Sequence, residues 1–175
     1  MAGVQELMLI PSQKIKLLSV ETDGVAFVKL FRGCWQRIPL VHRRKICATL
    51  RASQFRRIEL SNMWCDSSFA FGQVGAMGAG ILHIYFAADA FELLPTGAAE
   101  FIVAHELAHV MQVAIGRPRR FSRKTDWNYE READEFAKSW GFDNIQLIAI
   151  WSSLKKTGRN KMTLREACAH VTKHF

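Results

Sequence analysis

Between Glu100 and Ile115 the chain reads Glu-Phe-Ile-Val-Ala-His-Glu-Leu-Ala-His-Val-Met-Gln-Val-Ala-Ile, apolar nearly all the way round a helical wheel. A helix with no polar face cannot lie on a surface; it has to be enclosed on most sides. Pro95-Thr96-Gly97 supplies a start signal and Gly116 a stop, so the helix has defined ends. Isolated polar groups in such a setting are costly unless they are paired or bound to a metal. His105, Glu106 and His109 therefore need partners.

The spacing of those three residues suggests what the partner is. Helical residues four apart stack on one face, so His105 and His109 can offer two imidazoles to one ion. Glu106, one position after the first histidine, leans to the same side, where it can reach a water at the metal. Zinc lowers the pKa of such a water to about 7, within reach of a carboxylate base. Tetrahedral zinc in a hydrolytic site wants a third protein ligand and an open position. The stretch from Asp126 to Gly141 reads as a second helix, with Asp126 as N-cap, Gly141 as the stop and an apolar stripe of Ala133, Phe136, Ala137 and Trp140. At about 100° per residue, Glu130 and Asp134 stand together on one shoulder of the stripe and Glu132 on the other. Glu130 is thus the expected third ligand. Asp134 is expected to accept the free ring N–H of a ligating histidine, and Glu132 is expected to be dispensable.

His105-Glu-Leu-Ala-His109 followed by Glu130-Arg-Glu-Ala-Asp134 resembles the gluzincin pattern, HExxH and then ExxAD. It is similar to small bacterial metallopeptidase domains, including ImmA/IrrE-type regulators and the catalytic core of the HtpX group. The resemblance covers roughly residues 80 to 140. It implies two histidine ligands, a glutamate base, a glutamate ligand and a supporting acid, which fall on His105, His109, Glu106, Glu130 and Asp134. Asp134 departs from the Asn usual in ImmA/IrrE-type sequences, and no stretch matches the membrane spans of the HtpX group.

The expected fold class is α+β: one zincin-like domain over residues 1–175, with a small mixed sheet and an edge strand beside the active-site helix. At 175 residues there is length for one core, not two. Residues 24 to 32 and 40 to 52 have helical spacing, broken at Pro39. Short apolar pieces between residues 4 and 20 suggest a strand or arm. Residues 57 to 60 and 69 to 71 read as strands, and 72 to 80 as a Gly-rich turn. Ile81 to Phe86 is the clearest strand by its β-branched and aromatic content. The resemblance implies that this strand edges the cleft and pairs with extended substrate, as a sheet edge with unpaired backbone groups can. Asp143 to Gln146 and Thr163 to Glu166 read as capping boxes for two closing helices.

His83 and Tyr85 alternate with the apolar residues of that strand, so either is a candidate donor to a developing oxyanion, as is Tyr129 beside Glu130. An outer-face packing role is the plainer reading of His83 and Tyr85. His170 and His174 repeat the four-residue spacing without a following glutamate and read as a C-terminal helix. The formal charge is +8, with basic clusters at Arg43-Arg44-Lys45, Arg51, Arg56-Arg57 and the loop from Arg117 to Lys124. Such a field suits an acidic peptide or protein substrate, nucleic acid or anionic lipid, although no nucleic-acid-binding motif accompanies it. Nearly half the residues are apolar, yet no run approaches the eighteen or so of a membrane span. The start lacks a basic n-region, and Cys34, Cys47, Cys65 and Cys168 form no CxxC pair, so a cytoplasmic location with free thiols is expected. The functional expectation is a zinc-dependent endopeptidase with Glu106 as general base. The alternative is a nucleic-acid-associated or regulatory binding protein whose metal site serves structure or sensing. The oligomeric state is not legible.

Overall fold

The computed structural model describes residues 15–17, 24–52, 57–61, 72–77, 81–117, 127–156 and 163–175. In chain order the elements are β1 (Ile15–Leu17), α1 (Gly24–Arg37), α2 (Leu40–Ala52), β2 (Arg57–Ser61), β3 (Gly72–Met77), β4 (Ile81–Ala87), α3 (Ala88–Phe91), α4 (Thr96–Ala114), α5 (Trp127–Ser139), α6 (Ile145–Lys156) and α7 (Leu164–Thr172). Pro39, which cannot continue a helix, separates α1 from α2. No helix among the described residues is long and apolar enough to cross a membrane.

Helix α4 is the centre of the molecule because its sequence has no face to give to water. Phe101, Ile102, Val103, Ala104, Leu107, Ala108, Val110 and Met111 are all buried along it. Helices α1, α2, α5 and α6 and strand β3 supply the cover. Leu107 is fully enclosed, and burial of a side chain of that size contributes about 1.5–3 kcal/mol. An aromatic cluster closes one end: Phe27 and Phe31 of α1 meet Phe86 of β4, with Phe91 edge-on to both Phe27 and Phe86.

The strands pair in the order β1-β2-β4-β3, with β1 and β4 parallel to β2 and β3 antiparallel to β4. The α+β expectation is nevertheless overturned, because the described structure is mainly helical. Strand β4 gives Ile84, Phe86 and Ala87 to the core. The physical reason lies in α4, whose all-round apolar surface is covered chiefly by other helices. Nor is the strand from Ile81 an edge: β4 is flanked by β2 and β3. The outer strand on that side is β3, which lies against α4 in a stretch that reads as a Gly-rich turn. Its glycines have low strand propensity, but ladder hydrogen bonds to β4 use only main chain. The expected strand at 69–71 lies outside the described residues, as does the expected N-cap Asp126.

Both motif helices stop as their glycines require. At the end of α4, Gly116 takes φ 81°, with Gly116 N–H on the Val113 carbonyl and Arg117 N–H on the Gln112 carbonyl. At the end of α5, Gly141 takes φ 86° and the same two bonds run from Gly141 to Lys138 and from Phe142 to Ala137. This is the Schellman arrangement. Gly116→Ala is expected to destabilise by about 1–2 kcal/mol through left-handed backbone strain alone, since an added Cβ meets nothing within 4 Å. Gly33→Ala, on the exposed face of α1 with equally open space, is expected to stabilise by about 1 kcal/mol. Urea unfolding of the two variants should therefore move in opposite directions.

The two expected capping boxes part company. In α7, Thr163 accepts from Glu166 N–H while the Glu166 carboxylate accepts from Thr163 N–H. At α6, Asp143 Oδ1 accepts from Ile145 N–H, but Gln146 does not return to it. Its Oε1 instead accepts from Ala98 N–H at 3.2 Å, capping the start of α4 from outside. That contact supplies what Pro95 cannot, for the N-cap of α4 makes no side-chain hydrogen bond. A tertiary partner has displaced the local one.

Candidate metal centre

His105 and His109 lie one turn apart on α4, with ring centroids 4.6 Å apart and planes nearly perpendicular at 86°. Helix α5 packs against α4 and brings Glu130 to both of them. Glu130 Oε2 is 3.2 Å from His105 Nε2 and 3.3 Å from His109 Nε2. Donors about 2.0–2.1 Å from a tetrahedral zinc stand about 3.3 Å from one another. The two nitrogen–oxygen separations match that edge length. Glu106 also offers a carboxylate oxygen that lies with ligand atoms of both imidazoles inside a 4.8 Å group. Two carboxylates thus compete for the role of third ligand. Glu130 touches both Nε2 atoms, whereas Glu106 Oε2 is buried without a hydrogen-bond partner. That contrast favours Glu130 over Glu106 as the candidate third ligand.

The remaining ring nitrogens are engaged behind the site. His105 Nδ1 is 2.8 Å from Asp134 Oδ1, and His109 Nδ1 is 2.8 Å from Gln112 Oε1. Gln112 Nε2 donates to the Tyr129 carbonyl at 2.7 Å and to Glu132 Oε2 at 3.0 Å, and Glu132 Oε1 pairs with Arg117 Nε at 3.0 Å. Ligating histidines commonly have their second nitrogen held in this way. The donor set, its spacing and a buried carboxylate oxygen without a partner all fit zinc.

Electrostatics pull the cluster together. Burial pushes the His105 imidazole down, but its contacts with Asp134 and Glu130 and the nearby Glu106 charge outweigh that and carry its pKa up to about 10. Burial pushes Glu130 up, and the two histidines outweigh it, holding the carboxyl well below the usual carboxylate range. His109 and Glu106 are buried, while the side chains of His105, Glu130 and Asp134 are 17%, 32% and 34% exposed. The cluster therefore has one closed side and one side that meets solvent.

The other expected residues are placed differently. The side chains of His83 and Tyr85 lie outside the described residues, so their role as oxyanion donors has no geometry here. Tyr129 lies flat on His109, ring centroids 4.9 Å apart and planes 7° from parallel, so its ring covers that imidazole. Glu132, expected to be dispensable, is tied to Gln112 and Arg117. Gln112 was missed altogether, although a glutamine three residues after His109 on an otherwise apolar helix was a visible signal. Of the basic loop only Arg117 is described; Arg119, Arg120, Arg123 and Lys124 lie outside the described residues. Cys34, Cys47 and Cys168 are free and buried, and burial pushes the Cys34 thiol up to about 12. Such a thiol is inert near neutral pH. Cys65 lies outside the described residues. His170 and His174 are exposed on the last turn of the chain.

No family model, curated protein or solved structure matches the chain.

Proposed function

We propose that this chain is a zinc-dependent endopeptidase of the gluzincin kind. The observation that carries the reading is the single oxygen of Glu130 at hydrogen-bond distance from both His105 Nε2 and His109 Nε2. His105, His109 and Glu130 would hold the metal. Its contribution is Lewis acidity, which brings the pKa of a water toward 7 and polarises a carbonyl. Glu106 takes the water proton at Oε2 and delivers it to the leaving amine. Asp134 keeps the His105 imidazole aimed. A structural zinc site needs four closed protein ligands; partial exposure of His105 and Glu130 instead leaves room for substrate on the solvent side.

An acidic peptide or protein is the substrate class that the +8 charge favours. A cytoplasmic location suits the buried free thiols of Cys34, Cys47 and Cys168.

The test is elemental analysis of the purified protein together with cleavage of a casein or proteome-derived peptide mixture, with and without a chelator. About one zinc per chain and chelator-sensitive cleavage are expected. Absence of stoichiometric metal after zinc loading would remove the basis of the reading. Tight zinc binding with no cleavage across the peptide mixture would favour the structural or sensing alternative.

A further inference from the structure

We infer that Gln112 and Glu132 are positioning residues that hold His109 with its Nε2 lone pair facing the metal position. The inference rests on the zinc reading above and adds to it a residue pair that neither the two-histidine motif nor the acidic motif contains.

Glu132 and the Tyr129 main chain both present oxygen acceptors to one end of the Gln112 amide, at 3.0 Å and 2.7 Å. Only the NH₂ group satisfies two acceptors, so the amide has one orientation and its Oε1 must face His109. Oε1 cannot donate. The proton in the 2.8 Å contact between Gln112 Oε1 and His109 Nδ1 therefore belongs to His109. In the neutral imidazole, the form that binds a metal, a proton on Nδ1 leaves the lone pair on Nε2, the atom that faces Glu130. Gln112 is fully buried, so water cannot substitute for any of these bonds.

Glu132 is in turn held in place. The Schellman turn at Gly116 binds Arg117 N–H to the Gln112 carbonyl, which sets the Arg117 side chain beside Glu132, where Nε meets Oε1 at 3.0 Å. Arg117 is largely exposed and its ion pair is correspondingly weak; the buried part of the relay is the Glu132–Gln112–His109 run. The two ligand histidines are thus supported unequally. Asp134 places a full charge behind His105, whereas His109 has a neutral amide that fixes direction without adding charge.

Gln112→Met keeps the volume and removes the acceptor. It is expected to weaken zinc binding by about 10- to 100-fold in a competitive chelator titration, the range found when a histidine ligand loses its supporting partner. Protein labelled with 15N-histidine supplies a readout free of activity. In the parent, the His109 Nδ1 proton should exchange slowly with solvent in both metal-free and zinc-loaded states; in Gln112→Met it should exchange fast. Glu132→Ala, at a partly exposed position, guards against a folding failure and should lower affinity by about tenfold with intermediate exchange. Swapping the pair, Gln112→Glu with Glu132→Gln, restores an acceptor for His109 and a donor opposite it but turns a carboxylate oxygen on the Tyr129 carbonyl. It should recover part of the affinity lost in Gln112→Met, which a merely space-filling Gln112 would not allow. Equal zinc affinity in the parent, Gln112→Met and Glu132→Ala overturns the inference, as does a freely exchanging Nδ1 proton in the parent. If the parent binds no zinc but its Nδ1 proton is protected and becomes exposed in Gln112→Met, the positioning pair stands and the zinc reading falls.

Discussion

Glu106→Gln is expected to leave zinc content and fold unchanged while lowering kcat by about 10²–10⁴-fold, the usual contribution of a positioned general base. The substitution is nearly isosteric, so the tight packing around this buried position is preserved. What disappears is the capacity to take and return a proton. In the parent, Glu106 Oε2 is buried with no hydrogen-bond partner, an arrangement that costs stability unless something else at the site makes use of it. The comparison that decides between the two carboxylates is Glu130→Gln. If Glu130 is the ligand, that variant loses most of its zinc, while Glu106→Gln keeps it. The reverse pattern in elemental analysis would exchange their roles, and equal turnover by Glu106→Gln and the parent would end the mechanism as stated.

The parts of this site that were legible in the sequence are those governed by helical periodicity. His105, Glu106 and His109 are set by one turn of α4. The choice of Glu130 and Asp134 over Glu132 came from phasing a second helix against its own apolar stripe, and both acids do face His105. What escaped was decided by contacts between elements. Phasing alone set Glu132 apart from the metal, but Gln112 projects from α4 between the two helices and connects it to His109. Gln146 fits the local pattern of a capping box, yet the bare start of α4 offers it an N–H that the sequence could not place nearby. Strand order is equally non-local. The composition of Ile81 to Phe86 marks a strand, but nothing in it says that β3 will add to its open side. The α+β expectation failed for the same reason: it gave weight to strand-like segments and too little to the cover that α4 demands.

Zinc binding is expected to release about one proton per ion near pH 7 and to tighten by about tenfold per pH unit from pH 6.5 to 8. The sign follows from His105. Its metal-free pKa lies at about 10, against 6.5 for an ordinary histidine, so near neutral pH the imidazole carries a proton that must leave before Nε2 can coordinate. The same shift shapes the stability of the metal-free protein. A raised histidine pKa gives stability that is fully present below about 6.5 and fades as pH rises toward 10. Glu130, with its pKa depressed, gives stability that is present above its ordinary 4.5 and lost as pH falls through its lower folded value. Because the two groups face each other, these are two views of one interaction, strongest in the metal-free protein between about pH 4.5 and 6.5. Zinc reverses the upper limb by replacing the proton that holds the cluster together, so the loaded protein should gain thermal stability over the metal-free form most at pH 8 and least at pH 6. Titration calorimetry in two buffers of different ionisation enthalpy measures the proton release directly. His105→Ala should abolish both the release and the binding, and His109→Ala the binding. Zinc affinity that is flat between pH 6.5 and 8 in the parent would show that His105 carries no proton to displace, and would end the proton coupling.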